Sequence, residues 1–406
     1  MSENILSSKR IVFTVVVLII LISVSLVKAN ILSYNKIKIM ENTFSQHDLL
    51  DFDQKIMLLM KLGHFPSLSA CIIKNNSVVW SKGYGFCDLK NAKSASNKTI
   101  YMAGSITKTF TSTAIMQFYE NGYLDLNDDV NKYLPFNLRN PNYPDEKITI
   151  RMLLSHQSSL SERLSFIKNF FFIPHSYKWL REYLVPGGCI YDPKVWSERH
   201  PGEDFEYTNI GFEILGYICE KISNQSFNEY CKENIFIPLD MKNTSTHIND
   251  FNINDLAIPY IWRLNRYISL PNYEIGCSAA AGIRTSALDL SHFLIAHMNG
   301  GEYNGTKILE EENINLMHTI QYPNNTDPSF NYGLGWMIDY SDGEKFVGHR
   351  GGVFGGSAYM FYHVSDTTGV IFFLNQRRAF WIIPNIFEEM AFQCIQLALF
   401  EKGNKS

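Results

Sequence analysis

A glycine-led approach to an apolar helix is the feature that most constrains this chain. Ala103 and Gly104 precede Ser105, and Lys108 follows the serine by three positions. If a helix begins at or just before the serine, this spacing places both side chains on one helix face. An amine held there can take the proton of the hydroxyl, and the helix N-terminus favours the oxyanion that forms next. The stretch therefore predicts a nucleophilic serine with a lysine base.

The helix behind this pair has almost no polar face, so it belongs inside the protein. Its apolar residues are Phe110, Ala114, Ile115, Met116, Phe118 and Tyr119. Asn121 and Gly122 predict its end. Ser-x-x-Lys also begins at Ser25, Ser33 and Ser165. Because only the copy at Ser105 combines small preceding residues with an apolar helix, we assign the candidate nucleophile there.

The first 44 residues predict a protein that enters or crosses a membrane. Residues 11–27 are uncharged and apolar apart from Thr14, Ser23 and Ser25, and their number is near the lower limit for a spanning helix. We predict that residues 1–29 form a single-pass anchor, with the catalytic domain on the extracytoplasmic side. The alternative is a signal peptide cleaved near Ala29, which would give a secreted protein. Residues 30–44 then form a juxtamembrane linker.

Length and composition predict one large catalytic domain over residues 45–400. The 406 residues are 46% hydrophobic, which is enough for a sizeable core, and the net charge of −4 excludes a basic surface for nucleic acid. The seven cysteines form no zinc-type cluster, so we predict no metal and no cofactor. A turn at Asn75 and Asn76 would place Cys71 opposite Trp80, which argues against a disulfide between Cys71 and Cys87.

Hydrophobic periodicity predicts an α/β fold. Strands are predicted at 68–74, 77–84, 333–339, 345–349, 357–363 and 369–374. Helices are predicted at 45–62, 148–156, 286–298 and 387–400. The region of about 131–270 is irregular and mainly helical. Strands at both ends with helices between them predict one antiparallel sheet built from the N- and C-terminal parts, flanked by helices, with a mainly helical inserted subdomain.

A second candidate motif is Tyr207-Thr208-Asn209. A tyrosine close to a serine and a lysine can relay a proton, and an asparagine amide can hold a substrate amide through its donor and its acceptor. A purely structural interpretation is also open, because Thr208 or Asn209 can cap the apolar helix predicted over 210–218.

A third motif, running from Gly348 through His349, Arg350 and Gly351 to Gly352, stands at the end of a predicted strand. Glycines allow substrate and backbone to approach closely, and a backbone N–H group there can complete an oxyanion hole. The alternative is an ordinary glycine-rich turn.

The three motifs, in this order and at these separations, resemble the serine β-lactamase and penicillin-binding-protein superfamily. Within it they resemble the class C branch of β-lactamases, D-alanyl-D-alanine carboxypeptidases, D-aminopeptidases and esterases. The resemblance covers about residues 65–376 and includes the stretches 148–160, 280–289 and 332–336. It implies a β-lactamase/transpeptidase-like fold.

The resemblance also implies a role for each motif residue. Ser105 is the acylated nucleophile, and Lys108 and Tyr207 share the proton transfers of acylation and deacylation. Asn209 orients the substrate amide. His349, Gly351 and Gly352 border the substrate, and the backbone N–H groups of Ser105 and Gly352 form the oxyanion hole.

Two departures from the family pattern bear on the substrate. His349 stands where many members have a lysine that binds a carboxylate, and a mostly neutral histidine does this less well. Arg350 can replace that charge only if it points inward. Ser159 stands where the family usually has glycine, which predicts a local backbone adjustment.

The sequence thus predicts a membrane-anchored serine hydrolase that forms an acyl-enzyme with a small ester or peptide-like amide. A D-Ala-D-Ala carboxypeptidase or a β-lactamase is the alternative enzyme. An inactive, membrane-tethered binding or scaffold relative is the alternative from another class. The oligomeric state is not predicted.

Overall fold

The computed structural model describes residues 51–162, 177–321, 331–377 and 386–405. The predicted anchor or signal peptide (1–29) and linker (30–44) lie outside these residues, as do Ser25, Ser33 and Ser165. The limits predicted for the domain and for its helical subdomain stay predictions.

The strands are, in chain order, β1 Ser67–Lys74, β2 Ser77–Asp88, β3 Lys93–Ser94, β4 Ile100–Met102, β5 Tyr260–Arg263, β6 Arg266–Ser269, β7 Arg284–Ser286, β8 Glu302–Tyr303, β9 Thr306–Lys307, β10 Met337–Ser341, β11 Glu344–Val353, β12 Gly356–His363 and β13 Thr368–Leu374. Among the described residues, seven of them form one sheet in the order β10-β11-β12-β13-β1-β2-β3. Its paired neighbours are antiparallel. Strand β1 pairs with β13, with Leu68 opposite Leu374, so the two ends of the chain close the sheet as predicted.

The helices are, in chain order, α1 Phe52–Gly63, α2 Thr107–Glu120, α3 Ile150–Leu154, α4 Tyr177–Leu184, α5 Ile210–Ser223, α6 Phe227–Cys231, α7 Ser278–Ala281, α8 Ala287–Met298, α9 Glu311–Met317 and α10 Ile386–Asn404. Those from α3 to α6 lie in the region predicted to be mainly helical.

Strand β1 is covered on both faces because its alternate side chains enter different cores. Leu68, Ala70 and Ile72 belong to a cluster that includes residues of α1 and α10. Cys71 and Ile73 belong to a larger cluster that includes α2 and α8. A strand buried on both faces reads as a continuous run of small and apolar residues, as 67–73 does.

Helix α2 is the centre of the larger cluster, as its apolar sequence predicted. Every residue from Thr107 to Phe118 is buried. The rings of Phe110 and Phe293 stack with centroids 3.8 Å apart, which joins α2 to α8. Loss of a buried phenylalanine side chain costs about 3–5 kcal/mol, so this contact is a substantial part of what holds the two helices together.

Three predicted details are corrected by the structure. Cys71 pairs with Ser81, not with Trp80, because a bulge between Ile72 and Ile73 shifts the register. The strand predicted at 333–339 begins only at Met337, since Gly335 has a φ of +79° and ends regular pairing before it. The hairpin of β5 and β6 lies inside the region predicted to be irregular and mainly helical.

The predicted localisation also needs correction. None of the helices within the described ranges is long and apolar enough to cross a membrane. The longest of them, α10, has 19 residues but includes charged ones such as Glu401 and Lys402, whereas a spanning helix needs about 20 predominantly apolar residues. Residues 11–27 lie outside the described part. The prediction of a single-pass membrane protein is contradicted by this finding, and no membrane span is assigned.

Candidate active site

A tight turn delivers Ser105 to the start of α2. Strand β4 pairs with β7 and leads into a 3₁₀ turn, Gly104–Ile106, that continues as the helix. Gly104 has a φ of +55°, which favours glycine. A Cβ atom at this position would also lie 2.7 Å from the backbone nitrogen of Gly352. The small residue is therefore needed both for the turn and for the close approach of the third motif.

Lys108 is fully buried, and its Nζ atom has three neighbours. It lies 3.1 Å from Ser105 Oγ, 2.6 Å from Asn209 Oδ1 and 3.0 Å from the carbonyl oxygen of Ala280. The three contacts fit the three N–H bonds of a charged amine. Once the amine has given up its extra proton, it has two N–H bonds and one lone pair. Because the amide oxygen of Asn209 and the carbonyl of Ala280 can only accept, they take the two N–H bonds. The lone pair then faces Ser105 Oγ, where it can remove the proton.

The amide of Asn209 is held from its other side by Glu162, a residue that the sequence analysis missed. Asn209 Nδ2 donates to Glu162 Oε2 at 2.7 Å, and the backbone N–H of Asn209 donates to Glu162 Oε1 at 2.8 Å. Burial raises the pKa of Glu162 to about 7, although these hydrogen bonds and the nearby Lys108 oppose the shift. The role of Asn209 in orienting a substrate amide stays a prediction.

A second carboxylate, Glu213 of α5, supports the third contact of Lys108. Its Oε1 atom accepts from the backbone N–H groups of Ala279 and Ala280, at 3.0 and 2.8 Å. Those N–H groups belong to α7, whose Ala280 carbonyl faces Lys108. Glu213 is buried and stands alone as a charge in the apolar run 210–218. That isolated charge is the sequence signal that identifies it.

Tyr207 lies beside the serine–lysine pair. The Nζ atom of Lys108 is 5.0 Å from the centroid of the Tyr207 ring. His156 packs against the same ring at 4.3 Å, and its Nδ1 atom accepts from the backbone N–H of Thr208 at 3.2 Å. Burial, with Lys108 as a smaller cause, holds the pKa of His156 well below its ordinary value. A neutral His156 thus supports the loop that carries Tyr207, whose proton-transfer role stays a prediction.

His349 is buried at the edge of the site and makes two hydrogen bonds. Its Nδ1–H donates to the carbonyl oxygen of Arg350 at 2.6 Å, because that oxygen can only accept. Its Nε2 atom therefore accepts from the hydroxyl of Tyr332 at 2.9 Å. Burial, followed by the nearby Lys108, lowers the pKa of His349 to about 3. At neutral pH the third motif thus presents an uncharged ring.

Arg350 does not replace the missing charge, because it lies on the opposite face of β11 from His349. Its Nη2 atom is 3.2 Å from Asp339 Oδ2, and its guanidinium lies over the ring of Phe361. Phe361 belongs to the cluster between the sheet and the helices α1 and α10. Arg350 therefore does not point into the site, as it would have to do in order to bind a substrate carboxylate.

The two glycines of the third motif bring β11 against the turn before the nucleophile. A Cβ atom at Gly351 would lie 1.9 Å from the carbonyl oxygen of Ala103, and one at Gly352 would lie 1.6 Å from Arg377 Nη1. Arg377 Nη1 is also 3.5 Å from the carbonyl oxygen of Gly351. These contacts bring the backbone of Gly352 close to the turn that carries Ser105, and the predicted oxyanion hole stays a prediction.

Ser159 keeps a conformation that usually belongs to glycine. Its φ is +58°, and its hydroxyl accepts from Asn140 Nδ2 at 3.1 Å. The predicted adjustment of the backbone is therefore small, and the hydrogen bond helps to offset the strain of a left-handed residue.

A cavity of about 620 Å³ is lined by residues that neighbour two site residues in the chain. Ser161 and Glu206, the chain neighbours of Glu162 and Tyr207, are among the residues that line it. This volume falls within the range of pockets that hold small molecules. Across the described ranges, no group of three or more His, Cys, Asp or Glu side chains is placed to hold a metal ion.

Comparison with known proteins agrees with this geometry. A family model described as Beta-lactamase matches residues 52–380, which is most of the chain. The chain belongs to the beta-lactamase family. Together with the structural neighbours, this match confirms the predicted superfamily of serine β-lactamases and penicillin-binding proteins. The chain is a hydrolase at the level of the family, while its assignment to the class C branch stays a prediction.

Among curated relatives, the chain is 28% identical to Protein flp of Staphylococcus aureus (strain MRSA252) over 357 residues. The alignment covers 87% of this chain and 66% of flp, so the chain spans about two thirds of that relative's length. It is 27% identical to Beta-lactamase-like protein 2 of Dictyostelium discoideum over 257 residues, which cover 61% of this chain and 45% of that protein.

Solved structures of the same fold include an octameric penicillin-binding protein homologue from Pyrococcus abyssi. It has a TM-score of 0.69 and 30% identity, covering 86% of this chain and 77% of that one. The D-amino acid amidase from Ochrobactrum anthropi SV3, complexed with L-phenylalanine amide, has a TM-score of 0.68. It is 18% identical, covers 88% of this chain and 100% of its own, and shares the fold. The β-lactamase/transpeptidase-like fold predicted from the sequence is confirmed.

Proposed function

We propose that this protein is a serine hydrolase that forms an acyl-enzyme on Ser105 and prefers uncharged ester or peptide-like amide substrates. The observation that carries the proposal is the set of three contacts around Lys108 Nζ. In the neutral form that the reaction requires, two acceptors fix the N–H bonds of the amine, and its lone pair points to the serine hydroxyl at 3.1 Å.

The reaction then follows from these positions. Ser105 Oγ attacks the substrate carbonyl carbon while its proton passes to Lys108 Nζ. The backbone N–H groups of Ser105 and Gly352 bind the resulting oxyanion. As the tetrahedral intermediate collapses, the leaving alcohol or amine receives a proton from Lys108, with Tyr207 beside it as the relay. A water molecule attacks the acyl-enzyme by the same route in reverse and frees the acid and Ser105.

The preference for uncharged substrates rests on the third motif. His349 is neutral at pH 7 and is occupied by Tyr332, and Arg350 lies on the other face of its strand. A substrate carboxylate gains no ion pair from either residue. This favours esters and neutral amides over a D-Ala-D-Ala carboxypeptidase or β-lactamase reaction. The likeness in fold to a D-amino acid amidase supports amides as one substrate class.

A labelling experiment with a matched control tests the proposal. The Ser105→Ala variant should lose covalent labelling by a serine-reactive fluorophosphonate and all turnover of a panel containing p-nitrophenyl esters, D-Ala-D-Ala peptides and a chromogenic cephalosporin. Ser112→Ala, a buried change on the same helix, should keep both. Labelling of a different serine in wild type would overturn the assignment of Ser105, and no labelling at all would favour a non-catalytic binding protein.

A further inference from the structure

The carboxylate of Glu162 makes a pair of hydrogen bonds that no other common side chain of its size can make. One oxygen accepts from the backbone N–H of Asn209, and the other accepts from the side-chain Nδ2 of the same residue. An ionised carboxylate only accepts. A glutamine in the same place would have only one oxygen to accept, and its N–H₂ group would face one of the two N–H donors of Asn209. The two hydrogen bonds therefore require a glutamate at this position. They also hold the Asn209 amide with its Nδ2 atom toward Glu162 and its Oδ1 atom toward Lys108.

The orientation of that amide decides what Lys108 meets. In the observed orientation Asn209 Oδ1 accepts from Lys108 Nζ at 2.6 Å. If the amide were turned over, its N–H₂ group would face Lys108 and donate to the lone pair of the amine. That lone pair would then no longer face Ser105 Oγ, and the serine would lose its base.

We infer that Glu162 is a positioning residue, which orients the Lys108 base toward Ser105 by holding the Asn209 amide in one of its two orientations. The inference rests on the proposed function and adds to it a residue outside the three motifs. The hydrogen bonds of Glu162 described above go to Asn209, so its positioning effect passes through that residue, beside a direct electrostatic interaction with Lys108.

The ionisation of Glu162 gives this role a pH dependence. The ionisable groups that face its carboxylate are Lys108 from α2, Tyr183 from α4 and Cys277 just before α7. Burial raises the pKa values of Tyr183 and Cys277, so both stay neutral near pH 7. The pKa of Glu162 itself is about 7. Below that pH the protonated acid accepts less strongly and Asn209 is held less firmly.

The test is the rate at which a fluorophosphonate labels Ser105, measured from pH 5.5 to 9. Wild type should lose rate as the pH falls through about 7. Glu162→Gln should be roughly 10- to 100-fold slower at pH 8, should lack the loss of rate near pH 7, and should approach wild type at pH 5.5. Glu203→Gln, which removes an exposed negative charge four residues before Tyr207, should keep the wild-type profile.

Two further variants separate positioning from a general structural effect. Glu162→Asp keeps the charge on a shorter side chain, so it should be slower than wild type and still lose rate in acid. In an Asn209→Ala background, Glu162→Gln should cause no additional loss, because the residue that transmits its effect is gone.

Two results would overturn the inference. One is a Glu162→Gln variant that is labelled at the wild-type rate with the wild-type pH dependence. The other is a Glu162→Gln change that slows labelling as much in the Asn209→Ala background as in wild type. If Glu162→Gln does not fold, the inference is tested by the pH dependence of the labelling rate in Glu162→Asp and by the loss of rate in wild type below about pH 7. Failure of the proposed function looks different, because wild-type Ser105 would then not be labelled at any pH.

Discussion

The hydroxyl of Tyr332 donates to Nε2 of His349 across 2.9 Å, within the buried edge of the active site. Together with the bond from Nδ1–H to the carbonyl of Arg350, this contact uses both nitrogens of the imidazole. The ring is therefore a neutral, fully bonded part of the site wall. At neutral pH the ring itself therefore offers no charge to a substrate.

The first prediction concerns that missing charge. His349→Lys should improve reaction with a carboxylated β-lactam relative to a neutral p-nitrophenyl ester by roughly 10- to 100-fold. The reason is that a charge-assisted hydrogen bond to a carboxylate contributes about 1.5–3 kcal/mol, and an uncharged ester gains nothing from it. The measurement is the ratio of kcat/KM for the two substrates.

Arg350→Ala is the matched control and should leave this ratio unchanged, since its guanidinium pairs with Asp339 on the other face of the strand. If wild type already opens a cephalosporin faster than any ester, the preference for uncharged substrates is wrong. Arg377, beside Gly352, would then be the cation to remove next.

The second prediction concerns the close packing of β11 on the nucleophile turn. Gly351→Ala should greatly reduce fluorophosphonate labelling of Ser105, because the added methyl group would lie 1.9 Å from the carbonyl oxygen of Ala103 and must push the strand away. Overpacking of this kind costs typically 1–3 kcal/mol, so the thermal unfolding midpoint should fall as well.

Gly356→Ala is the control for this change. It lies at the start of the neighbouring strand β12, where an added Cβ atom would meet Val353 Cγ2 at 3.3 Å and other atoms only beyond that. We expect it to retain most of the activity and stability. Equal losses in the two variants would mean that the contact with Ala103 is not special.

The third prediction is a loss of stability in acid. Burial lowers the pKa of His318 from 6.5 to about 3, so between these values the unfolded chain binds a proton that the native state does not. Stability that is present above pH 6.5 is lost as the pH falls, by about 1.4 kcal/mol per pH unit for one such histidine. His349 adds a contribution of the same sign.

The check is urea unfolding of wild type and of His318→Gln at pH 7 and pH 5. Glutamine can form a hydrogen bond in either direction with the hydroxyl of Tyr362, which lies 3.0 Å from His318 Nδ1. The difference in unfolding free energy between the two pH values should shrink by about 2 kcal/mol in the variant. His247→Gln, at an exposed position, should leave the difference as it is.

Periodicity and motif spacing were sufficient for the larger features of this protein. The burial of α2 followed from an almost continuous apolar sequence. The pairing of the two chain ends followed from strands at 68–74 and 369–374 with helices between them. The register of the first hairpin was wrong by one residue, because a bulge next to Ile73 leaves no mark in the alternation of a strand buried on both faces.

The site was harder to complete than the fold. Ser105 and Lys108 are adjacent on one helix, so their spacing reveals them. Glu162 and Glu213 act through Asn209 and Ala280, which are distant in sequence from the residues they support. Such contacts depend on how several elements meet in space. In the sequence, Glu213 is visible only as an isolated charge in the apolar run 210–218, and Glu162 has no comparable signal.

The union of β1 with β13 has a consequence for synthesis. The backbone N–H of Ser67 binds the side chain of Asn375, a partner 308 positions later in the chain. During translation, the first hairpin must wait with an unpaired edge until β13, about 300 residues later, has left the ribosome. The late strands also carry the third motif, so an unfinished chain has its serine and lysine but no completed oxyanion hole. Nascent chains should therefore be catalytically silent, and they are the forms most in need of chaperones.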